Sequence, residues 1–274
     1  MTGTPLFVNR RCYYPAAIFV FAILLLPHNG LSQQFNSDSW LSKAHGTVTI
    51  IPTWGQRNSM LMTTYSLFPK WEFTIAGYLY NNDRDSRTAD GYSTSLYAKY
   101  MFYQNKSETG GASVKFGTGM KPGTISGEDR EKDAFKSYWV NFPCTVPFFN
   151  NTLSIDLMPG VSVTRNYGVE EITAWSFTYS ARVAWYPFDM KWSAVGEVFG
   201  TEGQNVAIPE FKTGIRWEPT PYVVFAVTYG QEFNGTKGAG FEIGAMLFSP
   251  PFACLGGCAQ KGEKWSLFKK KKKT

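Results

Sequence analysis

Histidine is scarce here, with two in 274 residues, His28 and His45. His28 falls in an amino-terminal segment expected to be removed, which leaves His45 as the only imidazole available for proton transfer. A general base has to stand within hydrogen-bond reach of its nucleophile. A lone His beside Gly46, at the entry to the first expected strand, reads as a surface residue instead. The nucleophile elbow, metalloprotease helix, phosphate loop and dinucleotide fingerprint are also missing. The sequence therefore predicts no enzyme, no catalytic residue, no cofactor and no metal site.

Long apolar runs are equally rare. The one that stands out, Ala16 to Leu26, follows Arg10 and Arg11, stops at Pro27 and is succeeded by Gly30-Leu31-Ser32. It falls short of the roughly 20 residues of a membrane helix and has the layout of a secretory signal peptide cut before Gln33. An uncleaved anchor is the competing reading. Cys12 precedes the run, so it cannot become the lipidated first residue of a mature lipoprotein.

A general charge excess is lacking too. The formal net charge is +6, and Lys261, Lys264 and Lys269 to Lys273, set against Glu263, carry all of it in the last sixteen residues. With Arg10 and Arg11 also set aside, residues 33–258 come to -2, which offers no footprint for nucleic acid. The lysine run reads as a solvated tail, or as one that touches anionic lipid or cell-wall polymer. Cysteine is sparse, and after processing Cys144, Cys254 and Cys258 make an odd number for an oxidising compartment. The candidate disulfide is Cys254 with Cys258; free thiols are the alternative, and the spacing suits neither haem attachment nor a zinc knuckle.

What the chain does have is alternation. In residues 175–185, Trp175, Phe177, Tyr179, Ala181, Val183 and Trp185 share one strand face, and Ser176, Thr178, Ser180 and Arg182 share the other. The same division recurs in Trp71, Phe73, Ile75 and Leu79 opposite Glu72, and in Phe211, Thr213, Ile215 and Trp217 opposite Glu210, Lys212 and Arg216. A mean hydropathy of -0.22 is compatible with membrane residence, because a barrel strand shows only half its side chains to lipid. Twelve strands are predicted, at about 46–54, 57–68, 71–80, 93–103, 112–120, 136–143, 152–163, 174–186, 191–199, 206–218, 222–230 and 239–248. Tight turns at Phe68-Pro69-Lys70, Pro187-Phe188-Asp189 and Glu218-Pro219-Thr220-Pro221 alternate with polar connections such as 81–92, 121–135 and 231–238. Asp83, Asp85 and Asp90 in the first of these polar connections lack EF-hand spacing and read as a solvated loop.

Alternation by itself suits a soluble β-sandwich as well as a membrane barrel. The aromatic positions favour the barrel, since Trp71, Trp175, Trp185, Trp192, Trp217 and Tyr229 fall near strand ends on the apolar face, as interfacial girdles do. The expected fold is all-β, a closed antiparallel transmembrane β-barrel of about 12 strands in the outer membrane of a Gram-negative bacterium. Its divisions are a signal peptide at 1–32, a short periplasmic segment at 33–45, the barrel at 46–248 and a Cys-containing, Lys-rich tail at 249–274. The expected partners are outer-membrane lipids, the barrel-assembly machinery and small solutes.

Gly240 to Phe248 resembles the closing strand of outer-membrane proteins, although that pattern ends the chain on its last aromatic and this chain continues. Phe211 to Pro219, with Tyr222 to Gly230 and the closing strand, is similar to the transport barrels grouped with the phenol-degradation pathway outer-membrane family. The resemblance covers the last quarter of the chain, and it implies passive passage of small, apolar or aromatic solutes. The candidate lumen-lining set, taken from the polar faces, is Glu72, Lys99, Lys115, Asp156, Arg182, Glu197, Glu210, Lys212, Arg216 and Glu242. These charges either form a selective constriction or fill a closed, non-conducting barrel with ion pairs.

Overall fold

The computed structural model describes residues 46–80, 91–107, 109–119, 123–124, 137–167, 171–187, 191–204, 207–235 and 238–251. Twelve strands run through them: β1 (Thr47–Gly55), β2 (Asn58–Phe68), β3 (Trp71–Tyr80), β4 (Gly91–Gln104), β5 (Gly111–Gly119), β6 (Ser137–Asn141 resuming as Cys144–Phe148), β7 (Leu153–Leu157 resuming as Gly160–Tyr167), β8 (Glu171–Trp185), β9 (Trp192–Gly203), β10 (Ala207–Thr220), β11 (Val223–Glu232) and β12 (Gly240–Phe248). A two-residue bridge, Gly123–Thr124, prolongs the β5 side of β4. Each strand pairs antiparallel with its neighbour in sequence. β12 pairs with β1 through Ile50 opposite Leu247 and Thr53 opposite Gly244, which closes the sheet on itself. Closure leaves no sheet edge, the condition for burying backbone amides in hydrocarbon.

The interruptions in β6 and β7 fall at Pro143 and Pro159, which have no N–H to give to the ladder. Pairing continues in unbroken register on both sides of each break: Asn141 faces Gly160 and Cys144 faces Leu157. The Phe142 amide donates to the Pro159 carbonyl at 2.8 Å, and the Ser113 amide donates to that of Pro143 at 2.9 Å. Each is therefore one strand, longer than its predicted span. The turn expected over Glu218 to Pro221 is also displaced. β10 runs through to Thr220, and a register irregularity between Trp217 and Thr220 accommodates Pro219, so the chain reverses at Pro221-Tyr222.

The apolar face lies outside. Ile75 is 51% exposed and its neighbour Ala76 is fully buried; Ile243 is 59% exposed and its neighbour Glu242 is 2% exposed. Buried residues are mostly Thr and Ser, such as Thr49, Thr64, Thr74, Ser95 and Ser176, together with charged groups. A soluble sandwich would invert this order, so that alternative is overturned. Trp175, Trp185, Trp192 and Trp217 are exposed on the outer wall, and Trp192 stacks on Trp217 with ring centroids 5.4 Å apart. An even strand number brings Thr47 and Phe248, the outer ends of β1 and β12, to one rim. Trp71, Trp185, Trp192 and Trp217 belong to that rim, and Trp175 and Tyr229 belong to the opposite one.

Candidate lumen

Residues directly opposite each other in an antiparallel pair share a face, so the register sorts the inward charges by level. Asp156 on β7 faces Arg182 on β8, Arg182 faces Glu197 on β9, and Glu197 faces Lys212 on β10. Charge alternates in sign across four strands. A second rung carries Glu72 on β3, Lys99 on β4 and Lys115 on β5, and then passes to Asn141 on β6.

Ion pairs form within and between strands of these rungs. Arg182 meets Asp156 Oδ2 through Nη2 at 2.7 Å and Nε at 2.9 Å, and the Thr145 hydroxyl donates to Oδ1. Lys212 reaches across β11 to Glu242 Oε2 at 2.8 Å, where Thr228 also donates at 3.1 Å. Gly230 stands opposite Lys212 and projects no side chain into that path. Lys99 meets Glu72 Oε2 at 2.7 Å. A buried charge is tolerated only where pairing and added hydrogen bonds replace water, and Thr145 and Thr228 help to meet that requirement.

The pairs are sealed. Side-chain exposures are 2% and 1% for Lys212 and Glu242, and 4% and 6% for Lys99 and Glu72. Arg216 pairs with Glu218 at 3.1 Å along β10, near the rim that holds the outer ends of β1 and β12. There the Tyr186 hydroxyl donates to Glu218 Oε1 at 3.2 Å. Burial pushes the Tyr186 hydroxyl above its ordinary pKa, which Arg216 partly opposes, so it stays a donor well into the alkaline range. Glu210 is half-buried, opposite Glu232 on one side and Phe199 on the other. Lys115, also half-buried, holds its ammonium over the rings of Tyr97 and Trp139. Cys254, Cys258 and His45 lie outside the described residues.

Among solved structures, an outer-membrane channel from Pseudomonas putida F1 is similar with a TM-score of 0.50 and 11% identity, over 78% of this chain and 99% of its own. The fold shared with it is a closed antiparallel β-barrel of the outer-membrane type. The KdgM porin is similar at a TM-score of 0.48 with 8% identity, over 73% of this chain and 98% of its own. The NanC porin gives 0.46 and 8%, over 74% and 97%. No family model and no curated protein matches the chain.

Arg182 touches one carboxylate oxygen at two points, which a lysine of the same charge cannot do. Arg182→Lys is therefore expected to cost about 1.5–3 kcal/mol, read as a lower midpoint of equilibrium unfolding in urea. An unchanged midpoint would show that charge alone matters there. Three features of the inner wall were not anticipated: the hydroxyls of Thr145 and Thr228, the Glu218 carboxylate, and the inward rings of Tyr97, Trp139 and Phe199. Alternation could have placed Trp139 on the face of Asn141. Its partners across the sheet needed the register.

Proposed function

We propose that this protein is an outer-membrane channel that lets small solutes diffuse down their gradients, with its narrowest level set by the ion-pair rung of β7 to β10. The observation that carries the reading is the polar, charge-bearing interior inside a wall whose outer surface is apolar. A barrel of this strand number lies between those filled by side chains and those with wide aqueous pores. Near-balanced charges at the constriction fit a passage that sorts by size more than by sign. Inward aromatic rings support the narrower reading of apolar or aromatic solutes that the phenol-pathway resemblance implies. Outer-membrane lipids and the barrel-assembly machinery are the partners this location requires, and catalysis forms no part of the reading.

Planar bilayers test it. The refolded protein is expected to insert and give small, discrete unitary currents, with a reversal potential near zero in a salt gradient. A second reading, a sealed structural barrel, draws on the near-complete burial of the Lys212–Glu242 and Lys99–Glu72 pairs. Stable insertion without current would favour it and sink the channel.

A further inference from the structure

The outer wall is not uniformly convex. Between β2 and β7 it carries an open groove of about 710 Å³, lined mostly by apolar side chains. The register shows how the groove runs. Phe73, Ala98, Phe116, Val140 and Val161 stand opposite one another in turn across β3 to β7. Ile75, Leu96, Thr118, Tyr138 and Val163 make a second row beside the first. Each row sets one small residue between two large ones: Ala98 between Phe73 and Phe116, and Thr118 between Leu96 and Tyr138. The wall dips there, and Gly117 forms part of the floor. The dip is closed towards the lumen, because Tyr97 and Trp139 flank Gly117 on the inner face and lean together until their ring centroids are 5.2 Å apart.

Both rows follow the hydrogen-bonding direction, so the groove crosses the strands. Four strand spacings of about 4.8 Å give it a length of roughly 19 Å, that of a long extended acyl tail, and two residues along a strand give a width of about 7 Å. A membrane helix, about 10–12 Å across with its side chains, is too wide for it. The convex wall of a second barrel cannot enter it, and a compact aromatic solute would leave most of its length empty. The two ends lie at different depths. At the β3 end Phe73 stacks on Trp71 with centroids 6.0 Å apart, in the girdle of the rim that holds the outer ends of β1 and β12. At the β7 end Val163 pairs with Trp175, in the girdle of the opposite rim. The longest connections, from Tyr80 to Gly91 and from Gly119 to Ser137, leave that second rim, which marks it as the external side. Tyr138 is exposed at this end, where an interfacial phenol meets lipid head groups.

We propose that the groove is a docking site for one saturated acyl chain of an outer-leaflet lipid, which enters beside Tyr138 and Trp175 and lays its methyl end towards Phe73. Lipid tails are as apolar as the wall, so a chain prefers the groove only for the packing contacts that a convex surface does not offer. A straight chain makes those contacts along the whole length, and a cis double bond lifts part of the chain out. The inference rests on the membrane reading of the outer wall and is independent of conduction.

Photo-crosslinking in vesicles of dioleoyl phosphatidylcholine tests it, with a trace of palmitoyl phosphatidylethanolamine that carries a diazirine either beside the carboxyl or at the methyl end of the chain. Peptide mass spectrometry is expected to find the methyl-end probe on β3 and β4 and the carboxyl-end probe on β6 and β7. Unlabelled dipalmitoyl lipid should displace either probe roughly threefold better than dioleoyl lipid. The double variant Ala98→Phe/Thr118→Phe fills the floor with apolar bulk that hydrocarbon tolerates. It should cut labelling of these strands roughly threefold or more, with labelling of β9 to β11 unchanged. Heat-modifiable migration on gels certifies that the variant is folded, and the two probes on the unaltered protein need no variant.

Label spread evenly around the wall, the two probes in reversed positions, equal displacement by both lipids, or a folded double variant that labels normally would each overturn the docking site. Groove labelling that fades as the protein-to-lipid ratio rises would put a second copy of the chain there and overturn it as well. A protein that fails to enter vesicles sinks the membrane reading itself. One that inserts and labels without preference sinks this inference alone.

Discussion

Glu242→Leu is expected to destabilise the barrel by about 3–5 kcal/mol, because it takes from the buried ammonium of Lys212 the carboxylate it contacts, in an interior where neutral replacements would be tolerated. Lys212 is 2% exposed, and Glu242 Oε2 sits 2.8 Å from its Nζ. Glu197, directly opposite Lys212 on β9, remains in the variant but has Arg182 on its other side. The double variant Lys212→Met/Glu242→Leu removes both charges, so it should recover most of the loss. Equilibrium unfolding in urea, followed by the disappearance of the heat-modifiable folded band, reads both effects. Equal destabilisation by the single and double variants would show that packing, and not charge pairing, governs this level. Under the channel reading the double variant also changes unitary conductance, since it alters the rung that narrows the passage.

The second large effect lies on the other face. Ile75→Arg places a guanidinium on the outer wall mid-strand, where a cation at the bilayer midplane costs about 2–4 kcal/mol; the same charge near an interface costs about 0–1 kcal/mol. Ile75 is 51% exposed, so in water the change would be harmless or would aid solubility. In lipid vesicles it should reduce the folded yield strongly. Trp185→Arg, at the end of β8, should reduce it less. Equal yields for Ile75→Arg and the unaltered chain in vesicles would mean that this wall does not meet hydrocarbon, and the membrane assignment would fall with it.

The fold was legible because its signal is local. Period-two alternation in Trp175 to Trp185 or in Phe211 to Trp217 needs only neighbouring residues, and aromatic placement then separates barrel from sandwich. Where the reading fell short, proline was the reason. Pro143 lacks the N–H that a ladder residue donates, so the strand expected over 136–143 ended there, although β6 resumes at Cys144 and its partners keep register past the break. Pro219 had the opposite effect and drew the expected turn into what is still β10.

The candidate site divides in the same way. Which residues bear charge on the polar face follows from alternation, but which charges meet depends on stagger between strands that are distant in sequence. Lys212 and Glu242 are thirty positions apart and meet only because β11 between them presents Gly230 opposite Lys212. Asp156 and Arg182 meet because β7 and β8 align one residue against the other; a slip of one position would turn one of them outward.

The sequence by itself determined the alternation, the aromatic strand ends and the inventory of charges, because each is written within one strand by the two-residue repeat of the extended backbone. The tertiary structure alone decided the register in which β12 meets β1, which charges share a rung, and that Tyr97, Lys115 and Trp139 converge at Gly117. Those outcomes depend on the register between strands, which the hydrogen-bond ladder sets once the sheet has closed.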